Sequence, residues 1–210
     1  MSHHPVDRFM EKGVEGGVFP GASLLVSQHG KTLWKKVCGA AQKIPRPRKL
    51  TPETLFDIAS LTKPFCTATL FMIAVQQKKC SLSDPIEKFY AHFKNKKIRI
   101  VHLLNHTSGL PAWKPYFEDL LALSPSWMGT AQGKAWLVRR ILDEPLENPP
   151  GKKVCYSDLG YILLGNILEK IWDEPLETLF ERLIARRLKL QNTFFRTPSP
   201  LPSPLKGEGS

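Results

Sequence analysis

The sequence predicts a mixed α/β or α+β domain, and three observations predict it. Two β-prone runs lie near the start, a succession of amphipathic helical segments follows residue 60, and few strand signals come after them. No internal repeat is evident. The 210 residues, 42% hydrophobic and 23% charged, are enough for one sizeable core.

Residues 9–16 read as the end of a short amphipathic helix, closed by Gly16-Gly17. Residues 21–27 and 31–38 are β-prone runs around Gln28-His29-Gly30, which is a hairpin signal. Residues 54–58 (Thr-Leu-Phe-Asp-Ile) predict a short strand-like piece directly before Ser60. From Ser60 to Gln77 apolar residues recur at helical spacing, and Pro64 falls in the first turn, where proline is tolerated. Ser83-Asp84-Pro85 reads as the cap and first turn of a helix through Phe93. Residues 98–105 predict another short helix, ended by His106-Thr107-Ser108-Gly109, and residues 133–142 a further one. Asn148-Pro149-Pro150-Gly151 marks a turn, Val154-Cys155-Tyr156 an extended entry, and 159–172 and 176–188 two amphipathic helices. Residues 1–196 are thus the expected folded portion. Residues 197–210 alternate proline with small residues, carry no apolar face, and are predicted extended or disordered.

The formal net charge of +11 permits an anionic partner. Its clusters (Lys35-Lys36, residues 94–99, Arg186-Arg187) are scattered, and neither zinc-finger spacing nor an RNP-like aromatic segment accompanies them. A solvated basic surface is the reading, with no nucleic-acid partner expected. The N-terminus lacks a leader's apolar stretch and no run reaches membrane-span length, so a cytoplasmic chain with no membrane partner is expected. Cys38, Cys66, Cys80 and Cys155 are far apart with no C-x-x-C pair, and read as reduced structural thiols. His102 and His106 have the i, i+4 spacing of a helical metal pair, but Leu103 stands where the zinc-protease pattern needs glutamate and no third ligand stands out. They are assigned to packing and capping, with no metal expected. Gly30-Lys31-Thr32 lacks the upstream glycine of a phosphate loop and reads as the start of a strand.

Ser60-Leu61-Thr62-Lys63 carries the chemistry. A serine three residues before a lysine at a helix start puts hydroxyl and ammonium on one face, about a turn apart. Such a pair can activate a serine nucleophile without a histidine. The spacing alone is unspecific, since Ser203 and Lys206 repeat it within the Pro-rich tail. Context separates them: far downstream, Tyr156-Ser157-Asp158 opens a second apolar helix. Trp113, Tyr116 and Phe117 read as a buried aromatic cluster in preference to the lining of an acyl pocket.

These residues resemble the penicillin-recognising serine hydrolases, in the branch of class C β-lactamases and their esterase and D-peptidase relatives. The resemblance rests on Phe56-Asp57-Ile58-Ala59-Ser60-Leu61-Thr62-Lys63, on Leu103-Leu104-Asn105-His106-Thr107-Ser108-Gly109-Leu110, and on Pro149-Pro150-Gly151 followed by Tyr156-Ser157-Asp158-Leu159-Gly160-Tyr161. It runs from about Gly13 to Arg196. It implies a β-lactamase/transpeptidase-like fold, with a helical region packed on an antiparallel sheet. It implies catalytic roles for Ser60 as acylated nucleophile, Lys63 as the charged group beside it, and Tyr156 as proton shuttle, with Asp158 in a substrate-binding position. The implied substrate is a small ester, amide or β-lactam, opened through an acyl-enzyme on Ser60 without a cofactor.

Two departures from the pattern matter. Asp158 replaces the commoner asparagine; it accepts hydrogen bonds but cannot donate them, and its charge is expected to hold Lys63 protonated and shift the base role to Tyr156. The Lys-Thr-Gly or His-Thr-Gly triplet of the family's strand beside the nucleophile has no candidate. The chain therefore reads as an amino-terminal portion with its C-terminal strands missing. Loss of one oxyanion donor costs about 10²–10³ in rate, so weak or no turnover and a tendency to aggregate are expected. A catalytically inactive remnant is the rival reading, and a basic nucleic-acid-binding protein a third.

Overall fold

The computed structural model describes residues 4–91, 93, 95 and 97–196, so the predicted tail at 197–210 lies outside the described residues. It resolves two compact units, Met1–Asp57 and Ile58–Ser210. The predicted fold class holds: helices plus a small antiparallel sheet.

In the first unit, helix α1 (Pro5–Glu15) begins earlier than the sequence reading placed it, because Pro5 sits at its first position and His4 caps Val6. Strands β1 (Gly21–Gln28), β2 (Lys31–Gln42) and β3 (Arg48–Lys49) form one antiparallel sheet in that order. The hairpin is the predicted one. His29 and Gly30 both take positive φ, 49° and 75°, which is the two-residue turn whose twist suits adjacent antiparallel strands. Lys31 starts a strand, as expected. Sheet and helix are tied by the Trp34 indole, which donates to Asp7 Oδ1 at 3.1 Å, while Asp7 itself is buried. Trp34→Phe leaves that acceptor short of a donor, and a loss of about 1–3 kcal/mol in urea unfolding followed by circular dichroism is expected.

The strand-like piece predicted at 54–58 is not a strand. Thr51 N–H donates to Thr54 Oγ1 at 3.0 Å and Thr54 N–H donates back to the Thr51 carbonyl, so this stretch begins as a local turn.

In the second unit, the predicted helix from Ser60 is composite. A 3₁₀ turn (Ala59–Leu61) leads into a π-helical turn (Lys63–Ala68) and then α2 (Thr69–Gln76). The Thr69 hydroxyl donates to the Pro64 carbonyl at 2.8 Å across the wide turn. The helix predicted through Phe93 is only a 3₁₀ turn, Ile86–Lys88. Ile86 N–H donates to the Ile98 carbonyl, and Pro85 bridges Arg99, so the chain bends back where a helix would have run on. Helices α3 (Ile100–Leu104), α5 (Ala131–Leu142) and α6 (Asp158–Trp172) match expectation within a few residues; α4 (Tyr116–Leu123) is additional. The helix predicted at 176–188 is α7 (Leu176–Phe180), a π turn (Glu181–Ala185) and α8 (Arg186–Leu188).

The core centres on α6. Leu159, Leu163, Leu164, Ile167 and Leu168 are at most 1% exposed and meet Leu70 and Phe71 of α2, Leu103 of α3 and Ile141 of α5. Ser157 caps the helix by accepting from Gly160 N–H, and its own hydroxyl donates to the Pro111 carbonyl at 2.7 Å. The start of α6 is thereby fixed, and with it Asp158. Among the described residues no helix is long and apolar enough to cross a membrane. All four cysteines are free, and burial pushes the Cys66 thiol up to about 12.

Candidate active site

Ser60 occupies the 3₁₀ turn, directly after Ala59, whose φ of 43° is unusual for a residue bearing a Cβ. This kink presents Ser60 to solvent while the following π turn brings Lys63 back over it. The Lys63 ammonium donates to Ser60 Oγ at 3.0 Å. On its other side it pairs with Asp158 Oδ1 at 2.7 Å. That oxygen is shielded from solvent and, among the described residues, has no partner of good hydrogen-bond geometry besides this ion pair. A third interaction joins the ammonium to the Tyr156 phenol, whose ring centroid lies 4.9 Å away. The ammonium thus stands among a hydroxyl, a carboxylate and an aromatic ring.

The electrostatics follow. Burial works against the Lys63 ammonium, but hydrogen bonds to Asp158 and Tyr156, with the Asp158 charge, outweigh it and hold its pKa above the ordinary lysine value. For Tyr156 the order reverses: hydrogen bonds to Lys63 and Ser60 draw the phenol below the ordinary tyrosine range, against slight burial and the Asp158 charge. An amine held protonated stands beside a phenol that loses its proton more readily.

The four residues singled out from sequence therefore converge. Tyr156 is half exposed and Asp158 partly so, while the Lys63 side chain is largely covered. The predicted aromatic cluster is different from expectation. Tyr116 is buried, its hydroxyl donating to Glu144, but Trp113 and Phe117 are more than half exposed. All three instead wall an open cavity of about 1390 Å³ that also reaches Ser60 and Lys63. Apolar residues predominate along it, so it offers room for an apolar group beside Ser60.

Two neighbours were not singled out as site residues. Tyr161, one turn after Asp158, lies 5.8 Å from the Lys63 ammonium by its ring centroid and donates its hydroxyl to the Leu104 carbonyl. Its i, i+3 spacing from Asp158 is the signal that places it on the same helix face. His106 was assigned to packing; its Nδ1 accepts from Ser157 N–H at 3.1 Å, while His102 Nδ1 accepts from Arg99 N–H. No group of three or more His, Cys, Asp or Glu among the described residues is placed to hold a metal ion.

The sequence motif around His106 has a structural reason. The loop 106–112 receives the segment 147–158 through a series of backbone bonds, from Glu147 to the Gly109 carbonyl, Gly151 to Thr107, Cys155 to His106 and Asp158 to Ala112. Gly109, at φ 83°, allows this: a Cβ there would lie 1.9 Å from the Asn148 carbonyl oxygen.

Comparison with known proteins gives a consistent set. The Beta-lactamase family model matches residues 6–207. An N-acetylmuramyl-L-alanine amidase of Bacillus subtilis (strain 168) is 31% identical over 207 aligned positions, covering 90% of this chain and 45% of that protein. A D-alanyl-D-alanine carboxypeptidase homologue of Escherichia coli O157:H7 is 33% identical, covering 90% of this chain and 46% of that protein. Among solved structures, a class C beta-lactamase in complex with cefoxitin superposes with a TM-score of 0.76 at 25% identity, covering 92% of this chain and 51% of that one. The chain spans about half the length of the relatives it matches.

Proposed function

The chain belongs to the β-lactamase family, and on that footing we propose that it is a serine hydrolase whose Ser60 hydroxyl is acylated by a small ester, amide or lactam. The Tyr156 phenolate takes the proton from Ser60 Oγ as that oxygen attacks the substrate carbonyl carbon. Charge collects on the carbonyl oxygen, for which the Ser60 backbone N–H is the proposed donor. Collapse of the tetrahedral intermediate breaks the bond to the leaving group, and the Tyr156 hydroxyl returns the proton to it. Water then releases the acyl group by the same path in reverse. Lys63 stays an ammonium throughout and stabilises both alkoxide and phenolate.

The observation that supports this reading most is the placement of the Lys63 ammonium among Ser60 Oγ, Asp158 Oδ1 and the Tyr156 ring. The names of the relatives, an amidase, a carboxypeptidase homologue and a β-lactamase, support acyl transfer as the reaction class.

The roles of Asp158 and Tyr156 are separable by pH. Asp158 raises the pKa of Lys63 through its hydrogen bond and charge, and its charge also opposes the lowering of the Tyr156 phenol. In Asp158→Asn both pKa values therefore fall. The limb of acylation that rises as the phenol ionises moves toward acid, and the limb that falls as the ammonium is lost moves the same way. Rates of Ser60 labelling by a fluorophosphonate across pH are the measurement; a profile that Asp158→Asn leaves in place contradicts the assignment.

A further inference from the structure

Tyr156 is gripped on both sides by one residue. Cys155 N–H donates to the His106 carbonyl at 2.8 Å, and Ser157 N–H donates to the His106 ring at Nδ1, 3.1 Å away. The same imidazole lies against the Tyr156 ring, centroids 4.5 Å apart, and against Tyr161 at 5.0 Å. The N–H groups of both residues that flank Tyr156, and the Tyr156 ring, are thus referred to His106.

The hydrogen bond fixes the chemistry of the imidazole. A nitrogen that accepts from an N–H carries no proton, so His106 is neutral with its proton on Nε2. An imidazolium has N–H at both nitrogens and would set Nδ1–H against Ser157 N–H. The charged and titratable groups facing the ring are the Lys63 ammonium from the π turn, Asp158 and Tyr161 from α6, and Tyr156 itself. Burial, then the Lys63 charge, lowers the His106 pKa, with Asp158 opposing.

We infer that His106 is a positioning residue: in its neutral form it holds the Tyr156 phenol against Ser60 and Lys63, and protonation in mild acid releases that phenol. The inference rests on Tyr156 being the base of the proposed reaction, but the grip on Tyr156 is a property of the fold and can be measured without turnover.

The backbone at His106 has φ 61°, a region that asparagine and glycine both tolerate. Their comparison therefore isolates the side-chain acceptor, which asparagine keeps and glycine lacks. His106→Gly is expected to label Ser60 about tenfold more slowly than wild type, or slower still, and His106→Asn within about threefold of it. The ratio of wild-type to His106→Asn rates is expected to be flat above neutrality and to fall only on the acid side of the ordinary imidazole range, because the His106 pKa is lowered and asparagine cannot be protonated there. Independently of labelling, the Tyr156 phenol is titrated by its ultraviolet phenolate absorbance, as the difference from Tyr156→Phe. Its midpoint is expected to stay in place in His106→Asn and to rise toward the ordinary tyrosine value in His106→Gly. Absence of labelling in wild type would end the Ser60 reading while the phenol titration still decides the role of His106. Equal phenol midpoints in the glycine and asparagine variants overturn the inference. If His106→Gly does not fold, a wild-type to asparagine ratio that is flat through the acid range overturns the proposed release.

Discussion

Replacing Tyr156 with phenylalanine is expected to slow fluorophosphonate labelling of Ser60 by about 10²–10⁴, the range a positioned general base contributes. The substitution keeps the ring that packs on His106 and removes the hydroxyl whose pKa Lys63 and Ser60 lower. Tyr156 is 51% exposed, so the melting temperature is expected to hold, and a loss of rate would report chemistry in place of folding. Lys63 keeps its ion pair with Asp158 in this variant, which separates the base from the charge beside it. An unchanged labelling rate in a folded Tyr156→Phe protein would assign the base elsewhere, Lys63 being the remaining candidate within reach of Ser60 Oγ.

The second large effect concerns stability. Leu163 is wholly buried in the middle of α6, packed within the core that α2, α3 and α5 share. Leu163→Ala removes three carbons and leaves a cavity, at a cost of about 2–5 kcal/mol in urea unfolding. Because α6 carries Asp158 at its first turn and Tyr161 one turn later, labelling of Ser60 is expected to fall as the helix loosens. Leu188→Ala is the control: Leu188 is 66% exposed, and its loss should matter by less than about 0.5 kcal/mol. Equal effects at the two positions would mean that α6 does not anchor the core.

Much of this was legible in the residues. The hairpin announced itself through β-prone runs around His29-Gly30, and α6 through apolar residues at helical spacing. Ser60, Lys63, Tyr156 and Asp158 stand out in the sequence, and the fold joins them around the Lys63 ammonium. What stayed hidden has physical causes. A π turn at Lys63–Ala68 uses the same residue types as an α-helix and differs only in which carbonyl each N–H meets. The bend at Ile86 depends on a bond from its N–H to Ile98, a tertiary partner that no local propensity encodes. Residues 54–58 are partly apolar, as a short strand can be, yet they belong to none of the strands among the described residues, and a threonine pair turns the chain at their start. Local spacing assigns His106 to packing and capping; its hydrogen-bond partner, Ser157, lies 51 positions away, where local pattern carries no signal.

The central claim is that Ser60 is a nucleophile activated by the ammonium and phenol beside it. Intact-mass measurement and peptide mapping of the chain after incubation with a fluorophosphonate test it most directly. One adduct per chain, located on Ser60 and absent from Ser60→Ala, is the expected result. A folded chain that takes up no adduct, or takes it up on a serine that Ser60→Ala leaves labelled, would contradict it.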